Sequence, residues 1–170
     1  MIELLILFQL NKKVLTMYGI SKEIKSDFSV LTIPSYGTIK PALRRLEAEG
    51  FVKTQKTMSS GGRPSTFYSI TNDGFKELKR LIIAPPLENP VQFLTTARVK
   101  LACANVLDDN ECKELFKHLK LKSETIQAET NNMLKTKDLD VYSKMVFDNL
   151  ICEYKNFVSL VEGFERACKN

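Results

Sequence analysis

Three prolines within six residues, Pro85, Pro86 and Pro90, break this chain near its midpoint. Proline fixes its own φ, lacks a backbone N–H and clashes with the preceding turn, so neither a helix interior nor a central strand runs through such a cluster. The 170 residues therefore read as residues 1–84, a proline-rich linker at 85–90, and residues 91–170. Charge divides at the same place. Residues 1–84 hold 13 Lys/Arg against 7 Asp/Glu, a balance of +6, and the remainder holds 12 against 13, a balance of −1. All the excess positive charge lies in the first part, as expected of a segment that meets a polyanion.

Composition narrows the class. With 44% hydrophobic and 26% charged residues, the chain is expected to fold rather than stay disordered. No apolar run approaches the roughly 18 residues that span a bilayer. The longest, Leu4-Leu5-Ile6-Leu7-Phe8, follows Glu3 with no basic flank, so neither a signal peptide nor a membrane partner is expected, and the cytoplasm is the expected compartment. Cys103, Cys112, Cys152 and Cys168 form no C-x-x-C pair, and His118 is the one histidine, so no metal site and no cofactor is expected. Each cysteine falls at an apolar-periodic position, where it reads as a small buried hydrophobe. Cys168 has Arg166 and Lys169 close in sequence, the setting of a reactive thiol, which keeps a thiol-based redox-sensing regulator as an alternative. There is no G-x-S-x-G elbow, no Walker loop and no H-E-x-x-H, so catalysis is not expected.

Periodicity gives the order of elements. Residues 2–10 read as a short apolar helix and 12–15 as a connector or short edge strand. From Tyr18 to about Phe28, Ile20, Ile24 and Phe28 fall at helical spacing. Ser35 is the expected N-cap of the next helix, whose Ile39, Ala42, Leu43 and Leu46 make one apolar stripe before Gly50 stops it. Residues 51–57 and 66–70 read as strands flanking a Gly-Gly-Arg loop, and a helix then runs to about Ile83. After the linker everything reads as helix. Asp108 and Glu111 have capping-box spacing, and the following helix places Cys112, Leu119, Ile126 and Met133 seven apart. In the last helix Phe147, Leu150, Tyr154, Phe157, Val161 and Phe164 alternate by three and four. Such a seam is either an internal core or a surface that buries against a second copy. For about 80 residues in three helices with little other core, burial between two copies is favoured, which makes these six the expected dimerisation residues.

Three helices followed by a hairpin is the order of a winged helix-turn-helix. A helix entering the major groove needs a small or polar first turn for base edges and then cations for phosphates. Ser35, Tyr36 and Thr38 offer the first, Lys40 and Arg44 the second, and Arg63 at the hairpin tip can reach the backbone or the minor groove. Arg45 reads instead as a structural cation paired with Glu49 four residues on. The expected fold is mainly α with a small β-hairpin wing, a winged helix-turn-helix followed by an all-helical dimerisation domain.

Gly37-Thr38-Ile39-Lys40-Pro41-Ala42-Leu43-Arg44-Arg45-Leu46-Glu47-Ala48-Glu49-Gly50-Phe51-Val52 closely resembles the recognition-helix block of the PadR family of bacterial transcriptional regulators. Gly61-Gly62-Arg63-Pro64, Phe67-Tyr68 and Ile70-Thr71 to Gly74 are similar to that family's wing and the helix start after it. Tyr18-Gly19 resembles its helix-two entry. Residues 91–168 more loosely resemble the helical C-terminal domain of the longer, virulence-activator-like subfamily. The resemblance implies a homodimer that binds double-stranded DNA at an inverted-repeat operator, as a repressor, with room for an unidentified small-molecule effector. One position departs from the family's usual Thr-Leu-Tyr-Pro: here it is Thr38-Ile39-Lys40-Pro41, so Lys40 stands where the family's tyrosine commonly contacts DNA. A winged helix that binds only protein is the other alternative, and the +6 balance weighs against it.

Overall fold

Residues 4–10 of the first helix are all buried, all of them apolar except Gln9, and a helix buried on every side needs neighbours on every side. The architecture follows from meeting that need. A computed structural model of the chain describes residues 1–58, 64–85 and 89–168. Its elements are α1 (Ile2–Lys12), β1 (Leu15–Thr16), α2 (Met17–Phe28), α3 (Tyr36–Ala48), β2 (Val52–Met58), β3 (Pro64–Ile70), α4 (Asn72–Ile83), α5 (Pro90–Ala102), a 3-10 turn (Ala104–Val106), α6 (Asp109–Thr136) and α7 (Val141–Ala167). They form two compact units, one of Met1–Ile82 with Arg98–Cys103, the other of Ile83–Ala97 with Ala104–Asn170. The fold is mainly helical with one small antiparallel sheet, a winged helix followed by helices.

In the first unit α2, α3 and β3 pack on α1. Val99, Leu101 and Cys103, from the segment of α5 and its following residue that joins this unit, are buried in it too. Thr16 caps α2 through its hydroxyl, which accepts from the Gly19 N–H at 3.1 Å, and Ile20, Ile24 and Phe28 turn inward. Where residues 12–15 were expected as a connector or short edge strand, Lys12 still belongs to α1 and the strand is Leu15–Thr16, which pairs antiparallel with β3 and gives the sheet order β1-β3-β2. The β2–β3 hairpin runs in register from Val52 opposite Ile70 to Met58 opposite Pro64. The loop expected to carry Gly61, Gly62 and Arg63 lies outside the described residues.

Two glycines fix how α3, the wing and α4 meet. Gly50 ends α3 at φ 77°, the left-handed region where a side chain is strained. Thr71 donates its N–H to the Phe51 carbonyl at 3.0 Å and its hydroxyl to the Gly50 carbonyl at 2.8 Å, while accepting from the Gly74 N–H at 3.0 Å. That knot draws the first turn of α4 so close that a Cβ on Gly74 would sit 2.0 Å from the Phe51 oxygen.

The second unit is built on the α6–α7 hairpin. The capping box expected at Asp108 and Glu111 is formed, with both partners at 2.9–3.0 Å. Asp140 caps α7, accepting from the Tyr142 and Ser143 N–H groups and from the Ser143 hydroxyl at 2.6 Å, and the hydroxyl bond first, then the Ser143 N–H, hold its carboxyl below the usual range. Phe93 stacks on Tyr154 at 5.8 Å and meets Phe157 edge-on at 5.7 Å, and Phe116 lies 6.3 Å from Phe164. The α7 seam is therefore not left wet in a single chain. Tyr154, Phe157 and Val161 are buried, and Phe147, Leu150 and Phe164 are half-buried. The cover comes from the buried face of α6 (Cys112, Leu115, Phe116, Leu119, Ser123, Ile126) and from Phe93, which a reading of α7 alone does not weigh. No helix of the described residues is long and apolar enough to cross a membrane.

Candidate nucleic-acid interface

The division of α3 into two faces follows from its sequence. At 100° per residue Ile39, Ala42, Leu43 and Leu46 fall on one side, and all four are buried. The same rotation sends Gly37, Lys40, Pro41 and Arg44 to the opposite side, and all four are exposed. Pro41 removes one intrahelical N–H···O bond, and it does so on this exposed outer face. Ser35 is the N-cap, as expected, but its hydroxyl does not bond the first-turn amides. It pairs with the Thr38 hydroxyl at 3.1 Å. The orphan N–H groups of the first turn and the positive end of the helix dipole thus face solvent beside Ser35, Tyr36 and Thr38, all exposed.

The two adjacent arginines differ. Arg45 stays on the fold, but not with Glu49 as expected. Its Nε and Nη2 lie 2.9 and 2.8 Å from Glu3 Oε1 on α1. Glu3 wins because α1 packs on α3 and presents its first turn beside this position, a neighbour that helical spacing within α3 cannot reveal. Arg44, one step round the helix, has no carboxylate partner among the described residues, and neither has Lys40. Arg44 lies near β3. Burial raises the Tyr68 hydroxyl above its usual pKa, the Glu47 carboxylate adds to that, and the Arg44 cation opposes it. Glu47 itself accepts from Thr54 on β2 at 2.6 Å, which locks the inner end of the wing to α3.

Beyond Val52, every residue of β2 is exposed. It is an edge strand of the sheet, and its Lys53 and Lys56 are cations that sequence reasoning had passed over. The available signal was two lysines on a strand that carries no alternating apolar face, the mark of a hairpin standing in water. Of the expected contacts, the structure brings Ser35, Tyr36, Thr38, Lys40 and Arg44 onto one exposed helix, and Arg63 lies outside the described residues. The arrangement is a cationic, carboxylate-poor helix face next to a basic strand. It suits a phosphate backbone and offers no nucleophile–base pair; among the described residues no cluster of His, Cys, Asp and Glu could hold a metal ion.

The model of the transcriptional regulator PadR-like family matches residues 6–80. A PadR family transcription regulator from hypervirulent Clostridium difficile is 31% identical over 46% of this chain and 79% of its own, with a TM-score of 0.41. The Bacillus subtilis PadR structure in complex with operator DNA is 20% identical over 98% of both chains, TM-score 0.45. A Streptococcus mutans structure is 21% identical over 95% of this chain and 96% of its own, TM-score 0.45. No curated protein matches the chain.

Proposed function

The chain belongs to the PadR-like family of transcriptional regulators, whose members are not enzymes, and from that premise we propose that it binds double-stranded DNA as a homodimer on an inverted-repeat operator and represses from it. In this reading residues 1–84 bind DNA, 85–90 link, residues 91–170 dimerise, and the protein works in the cytoplasm. The observation that carries it is the outer face of α3, where Lys40 and Arg44 stand exposed with no carboxylate partner among the described residues while the opposite face is wholly buried. Tyr36 and Thr38 read base edges, with Ser35 beside them, Lys40 and Arg44 hold phosphates, and Arg63 adds a contact from the wing tip. Two copies are needed because an inverted repeat presents equivalent half-sites about 34 Å apart, and one winged module reads only one. Within α7, Phe147, Leu150 and Phe164 keep area for a second copy, and Val141, Tyr142, Met145 and Val146 add an exposed apolar patch at its start.

Sedimentation of the intact chain, followed by gel retardation with the DNA upstream of its own gene, tests both claims. The expected result is a species near twice 19.4 kDa and a saturable, salt-sensitive complex with a palindromic fragment. A monomer at micromolar concentration overturns the dimer, and equal retardation of all sequences overturns operator recognition.

A further inference from the structure

Cys112 opens α6 and Cys168 closes α7, 56 positions later, yet the antiparallel hairpin brings them together at its open end. The register is set by the Phe116–Phe164 ring contact. One turn back on α6 and one turn on beyond Phe164 stand the two cysteines, close enough for the Cys168 sulfur to act on the Cys112 thiol, which itself donates to the Ala104 carbonyl at 3.9 Å. Both line a cavity of about 370 Å³, shared with Asp109, Lys113, Phe116 and Glu165. Both are free thiols, and they differ in access. Cys112 is 6% exposed, whereas Cys168 is exposed and sits at the C-cap, one residue past the helix, where small backbone adjustments are cheap.

We propose that Cys112 and Cys168 are a hydroperoxide-responsive thiol pair that closes to an intramolecular disulfide across the open end of the α6–α7 hairpin. The Cys168 sulfur, the accessible one, attacks the distal oxygen of the hydroperoxide. The O–O bond breaks, an alcohol or water leaves with the second oxygen, and Cys168 becomes a sulfenic acid. The Cys112 sulfur then attacks the Cys168 sulfur, the S–O bond breaks, and the hydroxide leaves as water with the proton of Cys112. In sum two thiols lose two electrons and the hydroperoxide gains them. The order follows from burial. Burial first, and the neighbouring Cys168 sulfur second, push the Cys112 thiol up to about 11, so it stays protonated at neutral pH and serves in the second step, where fixed proximity replaces acidity. Cys152 takes no part, since it lies 16 residues before Cys168 on the same helix, roughly 24 Å away at 1.5 Å per residue. This inference is independent of the DNA-binding reading.

The full chain is treated with hydrogen peroxide near stoichiometry, alkylated without reductant, and analysed by intact mass and peptide mapping. The expected product has lost about 2 Da, the two hydrogens, and retains a reactive Cys152. It yields one cross-linked pair of peptides joining Cys112 to Cys168 within a single chain. Its thermal midpoint rises, and dithiothreitol returns it to the starting value. In Cys112→Ser, Cys168 stops at a dimedone-trappable sulfenic acid. In Cys168→Ser, whose position is exposed and leaves folding intact, both the cross-link and the thermal shift vanish. Retained alkylation of both cysteines after peroxide overturns the proposal, as does oxygen added without a cross-link, or a Cys168 bond to a second chain.

Discussion

Helices α3 and α7 are both amphipathic, and each carries a face singled out from sequence as a contact surface. On α3 the chosen face is polar, and it stands in water with Lys40 and Arg44 uncovered. On α7 the chosen face is apolar, and the chain itself covers half of it: Tyr154, Phe157 and Val161 are buried beside Phe93 and α6. The difference is one of what each face excludes. A cationic face cannot be buried without a large desolvation cost, so its exposure follows from composition alone. An apolar face demands cover but is silent on who supplies it, because a neighbouring helix and a second copy satisfy the same demand.

The largest effect that would break this contrast comes from the covered part of α7. Phe157→Asp puts a carboxylate where a 3%-exposed ring meets Phe93 edge-on at 5.7 Å, combining a lost aromatic contact, a cavity and an unpaired buried charge. Those losses together exceed about 4 kcal/mol. The expected outcome is loss of helical circular dichroism from residues 91–170, at every protein concentration. A folded, fully helical monomer would instead mean that Phe157 serves association rather than the protomer's own core.

Lys100 is the exception within the first unit, where cations otherwise stand outside. It is 4% exposed and donates to the Ile82 carbonyl at 3.1 Å, and burial first, then Arg80, pull its ammonium down to about 8. The unfolded chain binds this proton up to its ordinary value of 10.5, so between pH 8 and 10.5 the unfolded state holds more protons and stability rises with pH. Cys103 works the other way. Its thiol is pushed up from 9.0 to about 12, so above pH 9 the unfolded state loses that proton first and stability falls. Urea unfolding should therefore show a gain of about 1 kcal/mol from pH 7 to 9, then a plateau or decline. Lys100→Met should abolish the gain and keep the decline. An unchanged rise in the variant would assign it to other groups.

The fold was legible wherever local chemistry is decisive. Gly50 and the Asp108–Glu111 capping box each act within a few residues, so their consequences could be read directly. The outer face of α3 was legible for the same reason. The partner of Arg45 was not, because Glu3 is 42 positions away and only the packing of α1 on α3 brings it near. Nor was the meeting of Cys112 with Cys168, which depends on the register of a hairpin whose turn specifies no side-chain level on its own. Lys53 and Lys56 were visible as letters, but their exposure depends on β2 being an outer strand of the sheet.

The finest test sets neighbouring arginines against each other. Arg44→Ala and Arg45→Ala remove the same charge from adjacent positions of one helix, so any effect of net charge on DNA attraction is equal in the two. Their surroundings differ: Arg44 is exposed with no carboxylate partner among the described residues, and Arg45 is held by Glu3 with side chains 55% and 32% exposed. Arg44→Ala should leave the thermal midpoint unchanged, weaken operator binding about tenfold and reduce the slope of log K against log salt by about 0.9, the signature of one lost phosphate. Arg45→Ala should leave the slope unchanged and cost about 0.5 kcal/mol of stability, the scale of an exposed ion pair, seen as a midpoint lower by roughly 1–2 °C. Glu3→Ala should reproduce that small thermal loss, and combining it with Arg45→Ala should add little, since either change removes the same pair. Equal loss of affinity in the two arginine variants would show that DNA senses the charge of the whole half and not the outer face of α3.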